Sequence, residues 1–400
     1  MQVKTQNAPS RLWRGITLVL LLLGASGVSL PMTCGAESVP DAGGVKLKRW
    51  VLSNYVAIVD ATYQDTVAAT KELSAAIGNL VTAPAESTLT AARDAWLAAR
   101  VCYSQSEAFR FYDGPIDQLE GQINSWPIDE NYIDYVAGDA GAGLINCVSN
   151  YPVLSRDLIL ALNQKEGKKN ISTGFHAIEF LLWGQPVEPG AGKRSWRDYA
   201  DGAPHAERRR QYLRLVTDLL VENLEAIAAD WAGGVAGNYR SHFLALEPDA
   251  ALAHLLKGIG ALSGPEMAGE RLTSAYETRE REEQQDCFSD NSRNDLIDDA
   301  LGIQNVYFGN YRSPRGRNIQ GPGLHDLLLR ADPEFAGTMA AQIRAAVAAA
   351  RALPPIFDQA LLGPKTAPGR VAIKAAIQAF QAESDLIARA AGKLALKLNL

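Results

Sequence analysis

The chain has 400 residues, of which 47% are hydrophobic, 21% charged and 8% aromatic. That is globular composition and excludes wholesale disorder or a fibrous repeat, and the length allows two domains or one large one with ample core. The formal net charge of −6 argues against a polyanion-binding surface, and so against nucleic acid as a partner.

At the N-terminus Lys4, Arg11 and Arg14 precede an apolar run over 16–23. Small residues follow, and Cys34-Gly35-Ala36 forms a small-x-small site. This is the layout of a secretory signal peptide over residues 1–36, and it directs the mature chain out of the cytoplasm. The run is too short to span a bilayer, which takes about 18–20 apolar residues. A lipoprotein leader ending at Cys34 is the weaker match, because Pro31-Met32-Thr33 precede that cysteine. The remaining cysteines, Cys102, Cys147 and Cys287, are too few for a dense disulfide framework, and the sequence does not pair them.

Beyond the leader the long segments have helical rhythm. Ala92, Trp96, Ala99 and Tyr103 form one apolar stripe, in a helix ended by Gly114-Pro115. Connectors follow at 138–143, 184–192 and 201–204, and a domain boundary is placed near residue 200. Val216, Leu220, Leu224, Ile227 and Trp231 form a second stripe. Ser263-Gly264-Pro265-Glu266 has the pattern of an N-terminal capping box. The polar run 277–286 fits an exposed charged helix face, for Glu277, Glu280 and Arg281 above all. Residues 289–323 read as a long ordered loop broken by one short helix near 296–301. Two Ala-rich helices, 335–353 and 371–400, complete the chain. No alternating β-branched run argues for a sheet, so the expected fold class is all-α.

The most informative segment is Asn170-Ile171-Ser172-Thr173-Gly174-Phe175-His176-Ala177-Ile178-Glu179-Phe180-Leu181-Leu182-Trp183-Gly184. Ser172 or Thr173 can cap this helix and Gly184 can end it. His176 and Glu179 are three apart and share a face, where they can bind one metal ion or form an acid–base pair. The rest of the helix is apolar, so both need partners once buried. A purely structural His–Glu pair satisfies the same pattern. Candidate supplementary oxygens are Glu107, Asp117, Glu282, Glu283 and Asp290. Glu107 and Arg110, three apart, can pair and support His176. Trp126, Trp183 and Tyr307 suit core packing better than a pocket wall. Arg312, Arg315 and Arg317 suit a solvated loop.

The block from Gly174 to Gly184 resembles the Gly-x-His-x-x-Glu signature of the imelysin family, members of the iron-regulated protein A type above all. Further blocks carry the same resemblance: 106–111 with 114–117, Asn124-Ser125-Trp126-Pro127 with Ile133-Asp134, Cys287-Phe288-Ser289-Asp290-Asn291, and 302–307. The resemblance covers nearly all of the mature chain. It implies two packed helical-bundle domains, here 37–200 carrying the His-x-x-Glu helix and 201–400. It also implies a periplasmic or membrane-attached protein tied to iron supply, with iron, an iron-containing small ligand or an uptake-system membrane protein as partner. The site it implies lies near the domain junction and includes His176 and Glu179. The family is classed with metallopeptidases, which implies catalytic roles for that pair.

In the family the Cys-Phe-Ser-Asp-Asn block has a Glu-His pair before it and a His after it. Here Gln284-Gln285 and Arg293 stand in those places, and neither residue type replaces an imidazole ligand. A zinc peptidase takes about three protein ligands, an open position and a general base. This chain lacks a His-Glu-x-x-His helix, and His205, His242, His254 and His325 are scattered. A carboxylate-rich set suits iron better than zinc. The expected function is therefore binding of iron or an iron-containing ligand at His176, Glu179 and Asp290, with Glu107 and Arg110 in support. A metallopeptidase and a non-catalytic interaction module are the alternatives.

Overall fold

A computed structural model of the chain describes residues 42–397. The signal peptide assigned to residues 1–36 and the Cys34 site lie outside the described residues. The fold is all-α apart from one short hairpin, and the described residues fall in one compact unit.

A helix of 41 residues, Ala42–Thr82 (α1), turns at 83–85 into Glu86–Ser106 (α2), and the two pack along each other. The expected stripe of α2, Ala92, Trp96, Ala99 and Tyr103, lies on its buried face, which Leu89 extends. The signature helix Gly174–Trp183 (α3) lies against α2 and against Ala206–Trp231 (α4), which also packs on α1. Val216, Leu220, Leu224, Ile227 and Trp231 of α4 are all buried. Helices on both sides of residue 200 thus share one bundle.

A second group of helices follows. Pro248–Ala261 (α5) continues without a break into a π-helical segment, Leu262–Thr273, and both lie on the C-terminal helix. Ser292–Phe308 (α6), Pro333–Arg351 (α7) and Pro368–Lys393 (α8) complete the group. α6 also packs on α2 and joins the two bundles. Gly302 permits this close approach, since a Cβ there would lie 2.4 Å from the Gln105 carbonyl oxygen.

Three sequence expectations are corrected. Ser263 does not cap a helix start. Pro265 sits inside the π-helical segment, which continues α5 without a new helix start to cap, and Ser263 faces α8 instead. The stretch 289–323 is not a long loop. It holds the 17-residue α6 and a hairpin pairing Asn310–Arg312 (β1) with Asn318–Gln320 (β2). α6 lacks a legible stripe because it buries Asp295, Asp298, Asp299 and Asn305 beside its apolar residues. The polar run 277–286 is exposed at Glu277 and Glu280, but Gln284, Gln285 and Asp286 are buried. The arginines of the hairpin are paired in part: Arg315 with Glu72 and Arg317 with Asp65.

Candidate metal centre

The signature helix exists where its end signals place it. Thr173 is the extended N-cap residue, although its side chain makes no cap bond, and Gly184 (φ 70°) closes the last turn. Gly174 has φ 85°, and a Cβ there would sit 2.4 Å from the Ile123 carbonyl oxygen. Only glycine admits both the left-handed backbone and the approach to 122–123. Every residue of the helix is buried.

Within it His176 Nδ1 lies 2.9 Å from Glu179 Oε2 and 3.4 Å from Asp286 Oδ1. The three side chains are no more than 1% exposed. Glu179 is held from the second bundle: the Phe288 N–H (3.1 Å), the Ser289 N–H (2.8 Å) and the Ser289 hydroxyl (2.7 Å) all donate to Oε1. Asn291 Nδ2 donates to Asp286 Oδ2 at 3.1 Å and to Asp295 Oδ1 at 3.0 Å. His176 Nε2 and Asp286 Oδ1 have no hydrogen-bond partner.

Around this triad lies a buried ionic network. Arg100 Nε donates to Asp295 at 3.0 Å and its Nη2 pairs with the same oxygen, while Nη1 donates to Asn124 at 2.5 Å. Arg100 Nη2 is also 3.7 Å from Asp286. Glu107 accepts from Arg110 and from Arg271, each at 2.5 Å, and Arg271 reaches Asp299 at 2.6 Å. Burial would raise the Glu107 pKa, but the two guanidiniums hold it down at about 2. Around His176 burial wins. It pushes Glu179 up to about 8 against the Ser289 hydrogen bonds, and it raises Asp286 well above the usual carboxylate range, helped by Asp295. Burial and then Arg100 lower the His176 pKa, so its ring is neutral.

The donor set fits a first-row divalent cation. One imidazole nitrogen and two carboxylate oxygens lie within 4.8 Å of one another. Spacings of 2.9 and 3.4 Å are those of neighbouring ligands about 2.0–2.2 Å from a shared ion. Lone-pair bookkeeping agrees. With the ring proton on Nδ1, Nε2 and Asp286 Oδ1 are both bare acceptors. With it on Nε2, three acceptors face one another. The second tautomer leaves three facing lone pairs that a proton or a cation must satisfy.

The imelysin family model matches residues 59–387. The chain belongs to the imelysin family. It is 26% identical over 342 residues to iron-regulated protein A of Synechococcus elongatus, covering 83% of this chain and 82% of that protein. The fold is that of an iron-regulated protein A precursor from Parabacteroides distasonis (TM-score 0.68, 21% identity, 91% of this chain and 98% of that one). It is also that of an imelysin-like protein from Psychrobacter arcticum (TM-score 0.60, 13% identity, 89% and 98%).

Within this imelysin chain the candidate residues part company. His176 and Glu179 stand together, and Glu107 and Arg110 pair in the adjoining network. Asp290 Oδ1 does not face His176. It accepts from the N–H groups of Phe357 (3.1 Å) and Asp358 (3.5 Å), and the carboxylate that reaches the imidazole is Asp286, four residues earlier. Asp117 accepts from the N–H groups of Phe111, Tyr112 and Gly114, outside the centre. Glu282 is exposed, and Glu283 faces Lys169 at 4.0 Å. Of the replaced family positions, Gln284 pairs with Asp358 and Arg293 binds the carbonyls of Leu353 and Arg351. Gln285 is buried with both amide atoms unpartnered. Sequence reasoning missed Arg100, Asp286, Asp295 and Arg271. The available signal for Asp286 was its place directly before the Cys-Phe-Ser block.

Proposed function

We propose that this protein binds a divalent metal ion, iron foremost, at His176, Glu179 and Asp286, as part of iron handling outside the cytoplasm. The observation that carries it is the excess of buried acceptors around His176. Arg100, Arg110 and Arg271 are engaged by Asp295, Glu107 and Asp299, and Arg100 stands 3.7 Å from Asp286, so the carboxylates beside His176 are left for a proton or a cation to satisfy. The mixed nitrogen and oxygen set suits iron or manganese as well as zinc. The iron-regulated relative supports iron, and the 1–36 leader pattern supports a periplasmic location. No described helix is long and apolar enough to cross a membrane.

Binding is preferred to peptidase chemistry for a geometric reason. A general base presents a free lone pair to a water. Glu179 Oε1 already accepts three hydrogen bonds and Oε2 faces the imidazole. Isothermal titration of the purified protein with Fe2+ under anaerobic conditions, and with Mn2+ and Zn2+, tests this reading. One ion per chain is expected, with affinity lowered by roughly tenfold or more in His176→Ala and Asp286→Asn. Equal heats from all three proteins would exclude the centre.

A further inference from the structure

The centre is sealed, so an ion that occupies it needs a way in. Between α2 and α6 lies a groove of about 320 Å³, with apolar walls from Leu97, Val101 and Ile297 and polar positions at Asn291, Asn294 and Asp298. Its floor is one side chain thick. Asn294 Nδ2 donates to Asn291 Oδ1 at 2.9 Å, and Asn291 Nδ2 donates onward to Asp286 Oδ2 at 3.1 Å. Asn291, 5% exposed, therefore stands between the open groove and a member of the triad.

We propose that this groove is the cation entry route, with Asp298 as the capture carboxylate and Asn291 as the gate. The inference rests on the metal-binding reading above. Asp298 is held in place by Gln105, whose Nε2 donates to Oδ1 at 3.2 Å while its Oε1 accepts from Asn305 at 3.0 Å. Among the described residues no hydrogen bond engages the other Asp298 oxygen. Burial raises the Asp298 pKa to about 7, and above that pH the low-dielectric walls concentrate the carboxylate's field in the groove and favour cations there. Asn291 suits a gate because an amide has both polarities. Its NH2 closes on Asp286 and Asp295, and a rotation of the side chain turns its carbonyl oxygen towards a passing ion. Asp286 and Asp295 behind it continue the line of oxygens towards His176.

A route residue changes rates and leaves equilibrium nearly untouched, which separates it from a ligand. Co2+ uptake followed by stopped-flow visible absorption, with release into excess chelator, measures both rates. Asp298→Asn is expected to slow uptake roughly three- to tenfold at low ionic strength, with release slowed alongside, so that Kd stays within about twofold. High salt should erase the difference. Val101→Trp, which fills the groove, should slow both rates further, and its melting temperature reports whether it folds. Wild-type rates in Asp298→Asn, with Co2+ bound normally, would overturn the route and leave the centre standing. Absence of Co2+ binding by the unsubstituted protein would overturn both.

Discussion

Arg100 uses all three guanidinium nitrogens inside the molecule, on Asp295 and Asn124, and its plane lies 4.9 Å from the centre of the Phe175 ring. A buried ion pair contributes little net stability against an apolar substitute, yet removing one partner strands the other in low dielectric. Arg100→Met keeps the stem and removes the charge, leaving Asp295 unpaired and Asp286 without its nearby cation. A loss of about 3–5 kcal/mol is expected in urea unfolding. Adding Asp295→Asn should recover part of it, so that the two substitutions are not additive. A loss below about 1 kcal/mol would show that the network relaxes around the missing charge. The same residue shows what the sequence hides. Arg100 stands at a stripe position of α2, where an apolar residue is expected, and only α6 explains it. His176 and Glu179 were legible because one helix turn brings them together. Asp286, more than a hundred residues on, reaches them only through tertiary packing.

At the π-helical segment, Ser263 packs against Glu383 of α8. Its single hydroxyl proton faces two acceptors, the Phe380 carbonyl at 2.9 Å and Glu383 Oε2 at 2.6 Å, and Glu383 Oε1 has no partner. A protonated Glu383 resolves this by donating to the Ser263 oxygen while Ser263 donates to Phe380. Burial accordingly pushes Glu383 up to about 8, opposed only by Ser263. In the unfolded chain a glutamate titrates near about 4.3. A folded pKa raised above the unfolded one gives stability that is fully present below about pH 4.3 and is lost as pH rises towards 8, by at most about 1.4 kcal/mol per unit. Glu383→Gln should therefore raise the melting temperature at pH 8 and flatten its decline between pH 5 and 8. An unchanged pH profile would mean that Glu383 ionises freely in the folded protein. Elements built on an apolar stripe, such as α2 and α4, were legible in the sequence. The π-helical segment and α6 were not, because Pro265 reads as a helix start and because the inward face of α6 is largely Asp and Asn.

Across the whole molecule the ionic network draws from both bundles. Arg100, Glu107, Asn124, His176 and Glu179 come from the first, and Arg271, Asp286, Asp295 and Asp299 from the second. The clamp on Glu179 by Phe288 and Ser289 crosses the same junction. An ion shared by His176, Glu179 and Asp286 would add a link between the bundles that the unfolded chain cannot offer. Binding to the folded state alone stabilises it by mass action, about 2.7 kcal/mol when free ion is a hundredfold above Kd. Saturating Fe2+ or Mn2+ should thus raise the melting temperature by a few degrees, and a chelator should reverse the shift. Tryptophan fluorescence, which includes Trp183 at the end of the signature helix and Trp96 packed against it, and far-UV circular dichroism should move together, because the link spans the junction. In Asp286→Asn neither signal should respond to the ion. If the shift survives in that variant, the ion is held elsewhere, and the buried acceptors around His176 are satisfied by protons alone.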